Sequence, residues 1–256
     1  MQQIMKTKKK LWPLGLLLAS GIITIAPLTA CHKNDDKPNN TGEEKGYVTG
    51  IVTDTKGQPI PGASIVIDNT LIYNSNLLAN SDAGGKYKVK LSGAFTWVAT
   101  ATMSKTYNGK TYKYDLHPEK DEAFTSDGGV RNFSWKISGN KPGSTGYYGA
   151  MIQLQSAFGS SIMAEDIEFT LTPSGPLIDG SSGQTLSLKS GAPRTENYYK
   201  LADIPLGRYT MKAKYNGQYL KLLNTITNDK GTELVINFEP QTSDGYCRNC
   251  TVVQYE

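Results

Sequence analysis

Apolar residues recur at every second position from Tyr47 onward, and this period of two is the strongest constraint on the fold. Tyr87, Val89 and Leu91 share one face of an extended segment in this way. The same alternation recurs at Phe95-Trp97-Ala99, Phe133-Trp135-Ile137, Ile167-Phe169-Leu171, Tyr209-Met211-Ala213 and Leu234-Ile236-Phe238. Gly, Asn, Asp and Pro interrupt it about every ten residues, as in antiparallel sandwiches. The pattern predicts an all-β fold.

A Gly- and Pro-rich segment divides this pattern into two halves. Residues 139–146 read Gly-Asn-Lys-Pro-Gly-Ser-Thr-Gly, a composition that is typical of a linker. We therefore expect two antiparallel β-sandwiches in tandem, over residues 46–139 and 146–240, with residues 241–256 as a C-terminal tail. The alternative is that the second half extends the first sandwich.

The first 30 residues have the features of a targeting signal. Lys6, Lys8, Lys9 and Lys10 precede an apolar stretch over residues 11–27, and Leu-Thr-Ala-Cys follows at residues 28–31. The stretch is short for a membrane-spanning helix, the alternative, and it contains two prolines.

Residues 28–31 resemble the lipobox of bacterial lipoproteins. The resemblance implies cleavage between Ala30 and Cys31 and acylation of Cys31, which would hold the mature chain to a membrane by lipid, palmitate among its acyl chains, without spanning it.

The mature segment begins with a polar stretch and carries no net charge. Residues 31–45 hold no large apolar side chain and are predicted to be a flexible tether. The acids near Cys31 resemble surface-export signals of Bacteroidota lipoproteins, while a periplasmic tether is the open alternative. Of the 27 basic and 23 acidic residues of the chain, four lysines precede Cys31, so 23 of each sign remain. This balance argues against nucleic acid as a partner.

Three segments carry a further resemblance. They are residues 50–54 (Gly-Ile-Val-Thr-Asp), 57–67 (Gly-Gln-Pro-Ile-Pro-Gly-Ala-Ser-Ile-Val-Ile) and 81–87 (Ser-Asp-Ala-Gly-Gly-Lys-Tyr). Together they resemble the carboxypeptidase regulatory-like domain over residues 47–101. The resemblance implies a seven-strand, transthyretin/prealbumin-like sandwich and covers none of a carboxypeptidase's catalytic part.

Three further patterns extend this interpretation. Asp54 with Gly57, and Asp82 with Gly85, have the spacing of tight turns. Tyr112, Tyr114 and Leu116 alternate beyond the motif and predict an added hairpin. In the second half, residues 201–211 resemble the strand entry of transthyretin-like modules.

The residues offer little material for catalysis. Beyond the tether the chain has one histidine, His117, in a charged run that suggests a solvated turn, and no Gly-x-Ser-x-Gly motif accompanies it. Catalytic zinc needs about three protein ligands, and no such set is present in the sequence. We predict no catalytic residue, no metal, no cofactor and no enzymatic activity.

Cys247 and Cys250 form the second cysteine feature. An oxidising envelope compartment makes a disulfide the expected state of this pair. The alternative is a redox site of the thioredoxin type, which would need a helix behind the pair, and no helical pattern follows.

Tyrosines provide the candidate binding residues. Tyr147-Tyr148 and Tyr198-Tyr199 are adjacent pairs, and neighbouring residues of a strand point to opposite faces. We therefore expect one ring of each pair to be exposed and able to stack on a sugar or a protein.

These inferences predict a non-catalytic, lipid-anchored protein of the outer membrane that acts as a binding or assembly module. In Bacteroidota, regulatory-like domains resemble the extension of TonB-dependent transporters, which implies a place beside a nutrient-uptake complex and an envelope protein as partner. The alternative is a surface glycan-binding module that uses the exposed tyrosines.

Overall fold

The computed structural model describes residues 44–144, 146–241 and 247–256. Apart from a 3-10 helix at Ala164–Asp166, the regular elements of these residues are strands, which confirms the all-β prediction. The predicted signal peptide, Cys31 and nearly all of the tether lie outside the described residues.

The first half contains ten strands in two sheets. They are β1 (Tyr47–Thr53), β2 (Ser64–Asn69), β3 (Asn76–Asn80), β4 (Lys86–Lys90), β5 (Thr96–Tyr107), β6 (Lys110–Asp115), β7 (His117–Pro118), β8 (Phe124–Thr125), β9 (Gly128–Val130) and β10 (Phe133–Ser134). One sheet has the order β4-β1-β10-β7, with β9 also beside β1. The other has the order β3-β2-β5-β6, with β8 beside β5.

The second half contains eleven strands in two further sheets. They are β11 (Ala150–Ser156), β12 (Glu168–Pro173), β13 (Leu186–Leu188), β14 (Lys200–Ile204), β15 (Tyr209–Tyr215), β16 (Gln218–Tyr219), β17 (Leu222–Asn224), β18 (Lys230–Gly231), β19 (Leu234–Ile236), β20 (Glu239–Gln241) and β21 (Arg248–Tyr255). One sheet has the order β14-β11-β21-β17-β18, with β20 beside β21. The other has the order β13-β12-β15-β16, with β19 beside β15.

Alternation places the core where the sequence predicts it. Val48 and Val52 of β1 and Ile65 and Ile67 of β2 are almost fully buried, whereas the alternate residues Thr49, Ile51 and Val66 are more exposed. In the second half Phe169 and Leu171 of β12 are likewise inaccessible to solvent. Removing such side chains from water is the main favourable contribution to folding.

The Asp-x-x-Gly turns form as predicted. Asp54 Oδ1 accepts hydrogen bonds from the backbone N–H groups of Lys56 and Gln58, each at 2.8 Å. Asp82 Oδ1 accepts in the same way from Gly84 and Lys86, at 2.9 and 2.8 Å. Gly57 and Gly85 have φ values of 76° and 72°, a left-handed conformation that glycine adopts without strain.

The C-terminal segment differs from the prediction. Instead of a tail, Arg248–Tyr255 forms β21, which lies in the middle of its sheet and pairs with β11, β17 and β20. Thr251, Val253 and Tyr255 are buried at alternate positions. The second sandwich therefore extends beyond residue 240, because its sheet is completed by the last strand of the chain.

Three of the ladders are parallel, whereas the sequence predicted antiparallel sheets. β11 runs parallel to β21 over six residue pairs, from Met151 with Cys250 to Ser156 with Tyr255. β1 is parallel to both β9 and β10. In each half the first strand pairs with the last, and such distant pairing has no local signature in the sequence.

Candidate functional site

The two sandwiches contact each other through the β5–β6 hairpin, which the sequence predicts. Tyr112 Oη donates a buried hydrogen bond to the carbonyl oxygen of Phe238 at 2.8 Å, and Tyr107 Oη donates to that of Pro176 at 2.8 Å. Lys110 Nζ lies 2.5 Å from Glu239 Oε1. These contacts join the edge of one sheet to the second half of the molecule.

The described residues of the Gly- and Pro-rich segment, 139–144 and 146, contact the second sandwich at Asp203 and the first through the Lys141–Asp115 ion pair. Asn140 and Tyr147 form an antiparallel bridge across it. The Asp203 carboxylate accepts hydrogen bonds from the backbone N–H groups of Gly139, at 2.8 and 2.9 Å, and of Gly149, at 3.2 Å. This segment is therefore a turn that is held by the second sandwich.

A pocket of about 100 Å³ opens where the hairpin, this turn and the start of β21 meet. Its lining residues are Lys113, Tyr114, Asp115, Lys141, Tyr147, Tyr148, Gly149, Arg248 and Asn249. We call it the junction pocket. Its walls come from distant positions such as Lys113 and Arg248, which are 135 residues apart. The Arg248 guanidinium lies 3.4 Å from the Lys113 carbonyl oxygen.

Positive charge dominates the junction pocket. Lys141 Nζ forms an ion pair with Asp115 Oδ2 at 2.8 Å. Burial would raise the pKa of Asp115, but the hydrogen bond from Lys141 and the charges of Lys141, Arg248 and Lys113 hold it below its usual range. Lys113 and Arg248 form no ion pair with a described residue, and the described lining of the pocket holds three cations and one carboxylate.

The four candidate tyrosines do not form an exposed platform. Tyr148 is 4% exposed, and the other three rings are partly buried. The expectation of one exposed ring in each pair is wrong because neither pair lies in a regular strand. Tyr198 and Tyr199 pack edge to face with ring centroids 4.6 Å apart. Tyr147 lines the junction pocket, and its Oη accepts a hydrogen bond from Asn197 Nδ2 at 3.2 Å.

His117 lies in β7 rather than in a solvated turn. Its Nδ1 is 3.1 Å from Tyr148 Oη, and the two rings pack edge to face. Burial and the nearby charge of Lys136 lower the pKa of His117, which keeps the ring neutral at pH 7. The contact positions Tyr148 against the first sandwich.

The cysteine pair lies at the start of the central strand. The structure joins Cys247 to Cys250 by a disulfide, with Cα atoms 5.9 Å apart, and both residues are buried. Cys250 pairs with Met151 of β11 and Glu239 of β20. The disulfide therefore lies where β21 enters its sheet.

An apolar loop at one end of the first sandwich was missed by the sequence analysis. Asn69 Oδ1 accepts hydrogen bonds from the backbone N–H groups of Leu71 and Ile72 at 2.9 and 3.0 Å. The turn displays Leu71, Ile72 and Tyr73, the first and last of which are 73% and 99% exposed. Together with Leu78 on β3, 74% exposed, these residues form what we call the apolar tip. The available signal was an apolar run where a polar hairpin loop is expected.

Two other kinds of site are absent from residues 44–144, 146–241 and 247–256. No cluster of three or more His, Cys, Asp or Glu side chains is arranged to hold a metal ion there. No helix within the same ranges is long and apolar enough to cross a membrane.

No family model matches the chain, and no curated protein matches it. Among solved structures it is similar to the Bacillus anthracis TIE protein, with 16% identity, a TM-score of 0.29 and coverage of 83% of this chain and 34% of that one. It thus spans about a third of that structure.

Two smaller structures are also similar. A C-terminal fragment of the pilus adhesin SpaC from Lactobacillus rhamnosus GG has 11% identity, a TM-score of 0.25 and coverage of 82% and 96%. A B repeat unit of the collagen binding surface protein of Staphylococcus aureus has 10% identity, a TM-score of 0.22 and coverage of 83% and 98%. At these scores none of them assigns a family or a function to the chain.

Proposed function

We propose that this chain is a non-catalytic, lipid-anchored envelope protein that acts as a binding or assembly module. The lipobox-like residues 28–31 support the anchor, and the apolar tip supports the binding role. Contiguous exposed apolar side chains mark interaction sites more often than chance exposure does. Association with a nutrient-uptake complex is the more specific form of this proposal and rests on the regulatory-like resemblance.

The apolar tip adjoins an open sheet edge. β3 is the end strand of its sheet, and its described backbone pairs with β2 alone. Its sequence, Asn-Leu-Leu-Ala-Asn, has neither the charges nor the proline that protect many edge strands. The occupant that fits is an extended strand of a partner protein with an apolar side chain beside Leu78, because such a strand satisfies the free backbone groups.

Site-specific photo-crosslinking in intact cells tests this docking surface. A photoreactive phenylalanine analogue at Tyr73 or Leu78 should give a discrete adduct, and the same analogue at Phe158, which is fully exposed elsewhere, should not. Leu78→Lys should abolish the adduct at Tyr73, since a charge on the edge opposes strand addition. Equal adducts at Phe158, or none at Tyr73 and Leu78, would contradict the proposed surface.

The lipid anchor, and the side of the membrane on which the protein lies, are tested by two separate experiments. Incorporation of labelled palmitate should be lost in Cys31→Ser and kept in the Cys247→Ser/Cys250→Ser double variant. Protease treatment of intact cells should then remove the protein if it is displayed outward and spare it if it faces the periplasm. Labelling that persists in Cys31→Ser would refute the anchor.

A further inference from the structure

The junction pocket exists only when both sandwiches are docked. Lys113 and Asp115 come from β6, Lys141 and Tyr147 from the turn between the halves, and Arg248 from β21. Asp203 holds the turn, and the Lys141–Asp115 ion pair ties it to the first sandwich. Side chains from separate elements therefore converge on one concave site, and concave sites are where small ligands usually bind.

The charges of the pocket select an anion. Lys141 and Asp115 neutralise each other at 2.8 Å, whereas Arg248 and Lys113 keep their charge at the rim. A guanidinium matches a carboxylate with two parallel hydrogen bonds. Within the described residues, the Arg248 guanidinium makes one hydrogen bond, a long contact of 3.4 Å to the Lys113 carbonyl oxygen, which leaves donors on its other nitrogens that could pair with a ligand.

The remaining lining suits a sugar. The ring of Tyr147 is half-buried, and the hydrogen bond from Asn197 uses a lone pair of its Oη, which leaves the phenolic hydrogen free to donate. A tyrosine ring offers a flat apolar face with a polar edge, which is how proteins hold pyranose rings. The Asp115 carboxylate, nearly half exposed, has lone pairs left to accept from sugar hydroxyls.

We propose that the junction pocket binds an acidic saccharide, with Arg248 and Lys113 on its carboxylate or sulfate and Tyr147 against its ring. Pairing of the anionic group with Arg248 gives the preference for charged over neutral sugars. The pocket, at about 100 Å³, is smaller than a whole pyranose residue, so it takes the anionic group and part of one ring of a longer glycan. This inference concerns a different surface from the apolar tip and does not depend on it.

Calorimetric titration of the purified mature protein with trigalacturonate tests the proposal. Maltotriose is the neutral control, and a sulfated trisaccharide distinguishes sulfate from carboxylate as the recognised group. We expect binding of the acidic trisaccharides alone, and binding should weaken as the ionic strength rises from about 0.05 to about 0.5 M. Equal binding of maltotriose, or no binding of either acidic probe, would overturn the proposal.

Matched variants place the binding at the pocket. Arg248→Ala and Lys113→Ala should each lower the affinity by about tenfold or more, with partial recovery in Arg248→Lys. Tyr147→Ala should lower it for both acidic probes. Arg208→Ala removes an exposed arginine that does not line the pocket and should leave the affinity unchanged. Unchanged affinity in Arg248→Ala, with the fold verified by circular dichroism, would refute the site even if acidic sugars bind elsewhere.

Discussion

The two sandwiches repeat one strand arrangement. In each sandwich, the first strand pairs with the fourth strand in antiparallel fashion and with the last strand in parallel fashion. The second strand pairs with the third and the fifth. The fifth strand then turns back through Asn-Gly, at Asn108-Gly109 and at Asn216-Gly217, with positive φ at all four residues. The repeat shows that one pattern of alternation and turns specifies the fold in both halves.

The last strand distinguishes the halves. β21 pairs with β11 without a break, whereas its counterpart in the first half is divided into β9 and β10. At the break, Asn132 Oδ1 accepts the hydrogen bond from the Ile51 backbone N–H at 3.0 Å, in place of a backbone carbonyl. A side chain thus completes the first ladder, while the second relies on an intact strand at the end of the chain.

The hairpin between strands five and six is the other difference. β5 and β6 pair over six positions, but β15 and β16 pair over two. The extra length carries Tyr107, Lys110 and Tyr112 to the second sandwich. Extension of one hairpin has therefore built both the contact between the halves and one wall of the junction pocket.

Among the changes that test the difference between the halves, removal of β21 should have the largest effect on folding. Replacing the Arg248 codon by a stop removes the centre of a sheet, so we expect the second sandwich not to fold. All tryptophans of the described residues, Trp97 and Trp135, are in the first half, so their fluorescence follows that half while far-UV circular dichroism follows both. Native circular dichroism and an unchanged unfolding midpoint in the truncated protein would contradict the role assigned to β21.

Loss of the disulfide should lower the stability of the second half by less than removal of β21 does. For a loop this short, loop-closure entropy gives about 2 kcal/mol. We expect Cys247→Ser/Cys250→Ser to lower the free energy of unfolding by up to about that amount, as measured by urea denaturation. A reducing agent should have the same effect on the native protein and none on the double variant. A larger loss in the variant than on reduction would show that the thiols also matter for packing.

Much of the fold follows from patterns among neighbouring residues in the sequence, whereas the junction pocket does not. Alternation such as Val48 to Val52, and the Asp-x-x-Gly turns, depend on neighbouring residues and were predictable. The alternation of Thr251, Val253 and Tyr255 was also present, but its place beside β11 depends on pairing across about a hundred residues. Arg248 and Lys113 meet for the same reason, and no local pattern predicts that meeting.

The tyrosine prediction failed for a related reason. It assumed that Tyr147-Tyr148 and Tyr198-Tyr199 lie in regular strands, where neighbours alternate. Tyr199 instead has a φ of 57°, and Tyr148 turns inward to meet His117. The apolar tip was overlooked because Leu71, Ile72 and Tyr73 are consecutive, so the apolar period of two that marks a strand does not mark them.

Tyr112→Phe should let the two halves unfold separately. Burial, with the charge of Glu239, raises the pKa of Tyr112 to about 12, so its hydroxyl is a neutral donor to Phe238 at pH 7. Loss of that donor should cost about 1 kcal/mol and let the two halves unfold at different urea concentrations. Tyr209→Phe is the matched control, because Tyr209 Oη donates at 2.6 Å within the second half, to Pro205. Coincident fluorescence and circular dichroism transitions in Tyr112→Phe would argue against coupling through this bond.

The smallest expected effect is a pH dependence of stability that arises from another contact between the halves. Asp179 accepts hydrogen bonds from Thr55 Oγ1 at 2.9 Å and from Ser181 Oγ at 2.6 Å. Burial would raise the pKa of Asp179, but the hydrogen bonds from Ser181 and Thr55 hold it below its ordinary value of 3.8. Since the pKa is lower in the folded state, the contribution is present above the unfolded-state pKa and is lost as the pH falls through the folded-state value.

Urea midpoints between about pH 6 and about pH 2.5 should therefore fall less steeply in Asp179→Asn than in the native sequence. The site is partly exposed, so the difference should stay below about 1 kcal/mol. Thr55→Val removes only the donor from the other sandwich and should give an intermediate slope, because Ser181 still lowers the pKa of Asp179. If Thr55→Val matches the native slope, Ser181 alone sets the pKa, and this contact adds nothing to the coupling made by the long hairpin.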